Sequence, residues 1–132
     1  MFLLDTNACI KALNRSSQAV IDRLSQTNPS EVRLCSIVKA ELLYGARHST
    51  HVAENLRILE RFFTPFISIP FDDICSDCYG LIRADLAGRG QLIGPNDLMI
   101  AAVAKANDLT LVTHNTKEFV RVPGLRMEDW ES

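Results

Sequence analysis

Four short strand-like runs, Phe2–Asp5 (FLLD), Val32–Cys35 (VRLC), Phe66–Ile69 (FISI) and Leu109–Thr113 (LTLVT), are separated by longer segments whose apolar residues recur at helical spacing. A strand period of two and a helix period of about 3.6 cannot share one segment, so this alternation restricts the chain to strand–helix–strand units. The runs are apolar with hardly any wet face, as expected of a sheet covered on both sides, and such sheets are parallel. The expected fold is therefore α/β, with three layers and a central, mostly parallel sheet of four to five strands flanked by helices.

The helical segments follow from periodicity and punctuation. They are expected at Asn7–Asn14, Ser16–Ser25, Ile37–Arg47 with Ser36 as cap, His51–Phe62, Asp72–Ala87 and Pro95–Ala106, with a short one at Thr116–Val120. Pro95 stands at a first helical position, where its missing N–H costs nothing. Thr27-Asn28-Pro29-Ser30 is a turn, Gly88 to Gly94 is a flexible loop, and Leu125–Met127 is a candidate short last strand.

At 132 residues, 47% of them hydrophobic and 23% charged, residues 1–132 are expected to make one domain with a real core. No apolar run approaches the roughly 20 residues of a membrane helix. No secretory signal is recognised before Asp5, so a cytoplasmic location is expected and membrane association is not. Cys9, Cys35, Cys75 and Cys78 fall within expected helices or strands and read as reduced structural thiols. Cys75-x-x-Cys78 lacks the second pair of a zinc ribbon. A net charge of −2 and a pI near 5.9 argue against a strongly basic nucleic-acid binder.

In parallel α/β sheets, ligands bind beyond the carboxyl ends of the strands, so the polar groups just after each strand carry the functional argument. Asp5 ends the first strand, Glu41 lies in the helix after the second, and Asp97 is in the first turn of the Pro95 helix. Asn115 and Glu118 follow the fourth strand in THNTKEF. Gathered at one sheet edge, such carboxylates repel unless a cation is shared. Oxygen donors suit a hard divalent ion, Mg2+ or Mn2+. Each acid also has a structural reading: an Asx turn at Asp5, a solvated helix position at Glu41, a macrodipole partner at Asp97, a capping box at Asn115–Glu118. His48, His51 and Glu54 read as a surface loop, and Glu128, Asp129 and Glu131 as a solvated tail.

LLDTN, VKAELLYGA, GPNDLMIAAVA and LTLVTHNTKEF, in this order and at these separations, resemble the PIN domain of VapC-type toxins, over the span from Phe2 to Trp130. The ending VPGLRMEDW is similar to the bacterial subgroup that cuts initiator tRNA. The resemblance implies a metal-dependent endoribonuclease that uses Mg2+ or Mn2+, leaves a 5′-phosphate and cuts tRNA in the anticodon loop. It implies Asp5, Glu41 and Asp97 as catalytic acids, with Asp5, Asp97, Glu41 and Glu118 as metal ligands. Thr6, Asn7, Thr113 and Asn115 would support them. Many PIN domains have aspartate where this chain has Asn115, which leaves Glu118 as the acid for the fourth place. Implied partners are a VapB-type antitoxin blocking the site, operator DNA reached only through that antitoxin, and a second copy packed through helices between about Ser30 and Phe63. Lys11, Arg15, Lys39, Arg47 and Arg89 are candidate phosphate contacts from their positions near the acidic edge.

Two other classes remain open on the residues alone. A haloacid-dehalogenase-like phosphatase would use Asp5 as nucleophile, but it wants an acid two residues on, where Asn7 stands. A non-enzymatic metal-binding module would use the same acids without chemistry.

Overall fold

The computed structural model describes residues 1–132. Five parallel strands, β1 (Phe2–Leu4), β2 (Val32–Cys35), β3 (Ile67–Ile69), β4 (Thr110–Val112) and β5 (Met127–Glu128), form one sheet in the order β3-β2-β1-β4-β5. Seven helices accompany it: α1 (Thr6–Leu13), α2 (Gln18–Gln26), α3 (Ser36–Arg47), α4 (Val52–Phe63), α5 (Asp73–Gly88), α6 (Pro95–Ala106) and α7 (Thr116–Phe119). The chain steps outward from β1 to β3, then returns to lay β4 on the other flank of β1, with Leu3 opposite Leu111. The strand order thus reverses beside β1, where parallel sheets leave a crevice.

The sheet is dry on both faces at its centre. Successive strand residues point to opposite faces, yet Leu3 and Leu4, Leu34 and Cys35, and Leu111 and Val112 are all buried. One cluster of 28 buried apolar residues joins these strands to α1, α3, α5 and α6. Helix α6 buries Leu98 and every residue from Ile100 to Ala104, so it lies inside the molecule, against α5. That burial fixes the place of its first turn, which carries Asp97. No helix is long and apolar enough to cross a membrane, and all four cysteines are free thiols.

Several local expectations are corrected. Cys35, not Ser36, occupies the cap position of α3 and makes no side-chain cap bond, because β2 runs directly into the helix with Cys35 held in the core. The last strand is Met127–Glu128 rather than Leu125–Met127. Gly124 turns at φ +73, where a Cβ would meet Lys105 Nζ at 2.8 Å, and pairing begins only when Leu111 N–H donates to the Arg126 carbonyl. The loop after α5 is less free than its glycines suggest. Arg89 binds Asp85 at 2.6 Å and the Arg121 carbonyl at 2.9 Å.

The acidic tail is a fastening rather than a solvated end. Trp130 is buried, edge-on to Phe2 at 5.4 Å, with the Arg23 guanidinium 5.1 Å from its ring. Arg23 bonds Glu128, which also accepts from the Trp130 indole N–H. Asp129 meets His114 at 2.9 Å, and Glu131 meets Lys11 at 3.1 Å. His48 caps the end of α3 and His51 the start of α4, either side of the Ser49-Thr50 link, as expected of a surface loop, whereas Glu54 lies in the first turn of α4 and not in the loop.

Candidate active site

Asp5 follows β1 directly. Its backbone N–H continues the ladder to the Val112 carbonyl at 3.1 Å, and its side chain caps α1 by accepting the Ala8 N–H at 2.8 Å. The abrupt switch from apolar strand to polar residues is therefore a strand-to-helix junction at the sheet centre. Asp5 is 4 % exposed. Burial pushes its carboxyl up, with the nearby Glu131 and Glu41 charges adding to this, while the Thr113 hydroxyl and Ala8 N–H pull it down. Structural cap and candidate ligand are thus the same group.

Asp97 stands in the first turn of α6, after Gly94 and Pro95. Helix N-termini favour an anion, yet its pKa is pushed up to about 6. Desolvation is the largest cause, followed by the charges of Asp5, Glu118 and Glu41, and Asn115 offsets part of it. Repulsion and burial outweigh the macrodipole here. The charges of Asp5, Glu118 and Glu41 thus act on Asp97 at the start of α6.

The other two acids are held by short-range bonds. Thr6 Oγ1 donates to Glu41 Oε1 at 2.8 Å, tying the start of α1 to α3. Asn115 Nδ2 donates to Glu118 Oε2 at 3.0 Å, and the Asn115 N–H donates to the buried Thr113 Oγ1 at 3.0 Å. Asn115 thus orients an acid instead of supplying one. Asn7 is exposed on α1. None of the chain's six ion pairs uses Asp5, Glu41, Asp97 or Glu118, so no lysine or arginine neutralises the group.

The candidate cations are placed differently from one another. Lys11 is paired with Glu131 and Arg89 with Asp85. Lys39 lies 4.9 Å above the Phe63 ring, and with Arg47 it lines a surface depression between α3 and α4. Arg15 is exposed at φ 53 beyond α1. Sequence reading missed Glu131, whose charge acts on Asp5, and the grouping of His114 with Asp129 and Glu131. Their long separation from β1 gives no spacing signal; the only hint was the ending VPGLRMEDW.

A parallel sheet in this order, with acids delivered from β1, α3, α6 and α7 to the crevice beside its central strand, is the layout of a PIN-type domain. The PIN domain family model matches residues 2–125, and the chain belongs to that family. It is 40% identical over 129 residues to the tRNA(fMet)-specific endonuclease VapC of Shigella flexneri, covering 98% of this chain and 97% of the relative. Among solved structures, VapBC from Salmonella typhimurium bound to DNA superposes with a TM-score of 0.92 at 39% identity, over 98% and 97% of the two chains. VapBC2 from Rickettsia felis on a promoter DNA fragment superposes with a TM-score of 0.91 at 38% identity, over 98% of each. Family membership decides against the phosphatase reading of Asp5.

Proposed function

We propose that the chain, acting as one PIN unit over residues 1–132, is a divalent-metal-dependent endoribonuclease and the toxin of a toxin–antitoxin pair. The observation that carries this is the unneutralised group of Asp5, Glu41, Asp97 and Glu118 at the crevice of the sheet. The donor set fits a hard divalent cation: every donor is a carboxylate oxygen, and no lysine or arginine competes for them. Mg2+ or Mn2+ would be held by Asp5 and Asp97, with Glu41 and Glu118 as further donors, directly or through water. Such an ion supplies Lewis-acid stabilisation of phosphoryl charge and activation of water for hydrolysis.

The chain's own residues prepare that chemistry. The Ala8 N–H holds Asp5 in one rotamer while Thr113 and burial set its basicity. Thr6 and Asn115 orient Glu41 and Glu118, as outer groups commonly orient metal ligands. Asp97 keeps a proton up to about pH 6 when the site has no cation, so cation binding and proton release are coupled there.

The substrate we propose is a single-stranded RNA loop, initiator tRNA at its anticodon, cut to leave a 5′-phosphate and so to halt translation and growth. The name of the Shigella relative supports this choice. A VapB-type antitoxin would cover the acids and carry the DNA contact, in keeping with the VapBC assemblies on DNA and with this chain's net charge of −2. A homodimer in the cytoplasm completes the reading. The large aromatics of the expected dimer face, Phe62, Phe63 and Phe66, pack on one another, which leaves Leu43, Tyr44 and Ile58 as its exposed apolar groups. The test is incubation of antitoxin-free protein with total RNA in Mg2+, with and without chelator, followed by mapping of 5′ ends. Discrete chelator-sensitive cuts are expected in one tRNA loop; intact RNA would sink the proposal.

A further inference from the structure

Two arginines cross-link the segments that deliver Asp97 and Glu118. Arg89, at the C-terminal cap of α5, is anchored to Asp85 at 2.6 Å, and its Nη2 also donates to the Arg121 carbonyl at 2.9 Å. Arg121, just past α7, donates in the other direction: its Nη1 reaches the Leu92 carbonyl at 3.2 Å. Each arginine thus grips the backbone of the other's segment, across 32 and 29 positions of sequence. Arg121 forms no ion pair, so the Leu92 carbonyl is the partner that orients its guanidinium.

The clasp falls where the backbone does little to hold itself. The Gln91 N–H donates to the Leu86 carbonyl, after which no backbone N–H from Leu92 to Gly94 enters a hydrogen bond. That stretch is fixed by burial of Ile93 and by Arg121 on the Leu92 carbonyl. It runs through Gly94 and Pro95 into the first turn of α6, so Asp97 lies five residues beyond the gripped carbonyl. On the other side, the Arg121 N–H donates to the Glu118 carbonyl at 3.1 Å, which ties the gripped residue to the acid one turn earlier. Helix α7 itself is only four residues long, so it has few bonds of its own. The Glu118 charge acts on Asp97, so the two acids that the clasp spans share one site.

We infer that Arg89 and Arg121 are positioning residues: their reciprocal clasp sets the separation of Asp97 and Glu118, and so the geometry in which these acids receive a divalent cation. This rests on the metal reading proposed above. Neither guanidinium bonds to either carboxylate, so each acts through the backbone. The sign of the effect separates this role from a purely electrostatic one. A nearby guanidinium repels a divalent cation, so its removal, acting through charge alone, would tighten cation binding. Its removal as a spacer loosens binding, because a hard divalent ion is held by oxygen donors at set distances. A phosphate contact would instead leave cation affinity alone and act on RNA binding and its salt dependence.

The experiment is calorimetric titration of the antitoxin-free full chain with Mn2+, comparing wild type with Arg121→Ala, Arg121→Lys, Arg89→Ala and Arg83→Ala. Arg83 is the control for charge: it lies on α5 and bonds the Tyr79 hydroxyl, outside the clasp. Arg121→Ala and Arg89→Ala are each expected to weaken Mn2+ binding about 10-fold, the low end for groups that orient metal ligands from outside. Arg121→Lys, which keeps a donor for the Leu92 carbonyl, recovers most of that loss, and Arg83→Ala shows none. Urea midpoints in chelator, expected to stay close to wild type, show that the variants fold. Unchanged or tighter Mn2+ binding in Arg121→Ala overturns the proposal. So does a rise in KM for RNA at unchanged Mn2+ affinity, which would make Arg121 a phosphate contact. A loss that Arg121→Lys does not recover, or one matched by a fall in the urea midpoint, overturns it too, as general damage to the fold. If the wild type itself binds no Mn2+, the metal reading fails and the clasp proposal falls with it.

Discussion

Asp97→Asn is expected to stabilise the metal-free protein while destroying its activity. The exchange keeps shape and hydrogen-bonding capacity but removes one of the mutually repelling charges. The folded carboxyl titrates at about 6 against an ordinary 3.8, through burial first and then through Asp5, Glu118 and Glu41. That difference corresponds to about 3 kcal/mol at full weight. Asp97 is only half-buried, so solvent screening reduces it to about 1–2 kcal/mol. The folded pKa lies above the unfolded one, so between about pH 4 and pH 6 the native state binds the extra proton. Stability therefore falls as pH rises through this window and stays low above it. Urea denaturation in chelator should give the variant a higher midpoint at pH 7.5 with an unchanged slope. At pH 4.5 the advantage should shrink to about a third of that. Added Mn2+ should reverse the order, because an ion that binds only the folded wild type stabilises it by mass action. A variant less stable than wild type at pH 7.5 in chelator would refute the repulsion argument.

Further outcomes follow from the contacts around the acids and the core. Thr6→Val removes the bond to Glu41 at 2.8 Å; Mn2+ affinity by calorimetry should fall about 10- to 100-fold, as for other outer-group changes. Phe119→Ala empties the fully buried ring site at the end of the THNTKEF segment; thermal or urea unfolding should show a loss of about 3–5 kcal/mol.

The sheet was legible because two-sided burial leaves runs such as FLL and LTLV with no other use, whereas the central place of β1 is set by the pairing with β2 and β4. Asp5 and Glu41 could be placed after a strand from order alone and Asp97 at the start of a helix that follows another helix, and the structure brings their charges within mutual influence. The tail was not legible. Glu128, Asp129 and Glu131 look solvated in one dimension, and their partners Arg23, His114 and Lys11 are set by how Trp130 packs on Phe2. Lys11 and Arg89 looked free for the same reason, since Glu131 lies 120 positions from Lys11 and the Arg121 carbonyl lies 32 from Arg89. The α3 cap misled because Ser36 is a better capping residue than Cys35, yet the packing of Cys35 decided the boundary.

As a divalent-metal centre, the acids at the end of β1 and its neighbours would hydrolyse RNA. The most direct measurement is single-turnover cleavage of an initiator tRNA transcript by purified, antitoxin-free protein in Mg2+, beside Asp5→Asn and an elongator tRNA. One cut is expected in the anticodon loop of the initiator tRNA, with a 5′-phosphate on the product and loss of cutting with chelator or with Asp5→Asn. Cleavage that persists in chelator, or in Asp5→Asn protein, would contradict it.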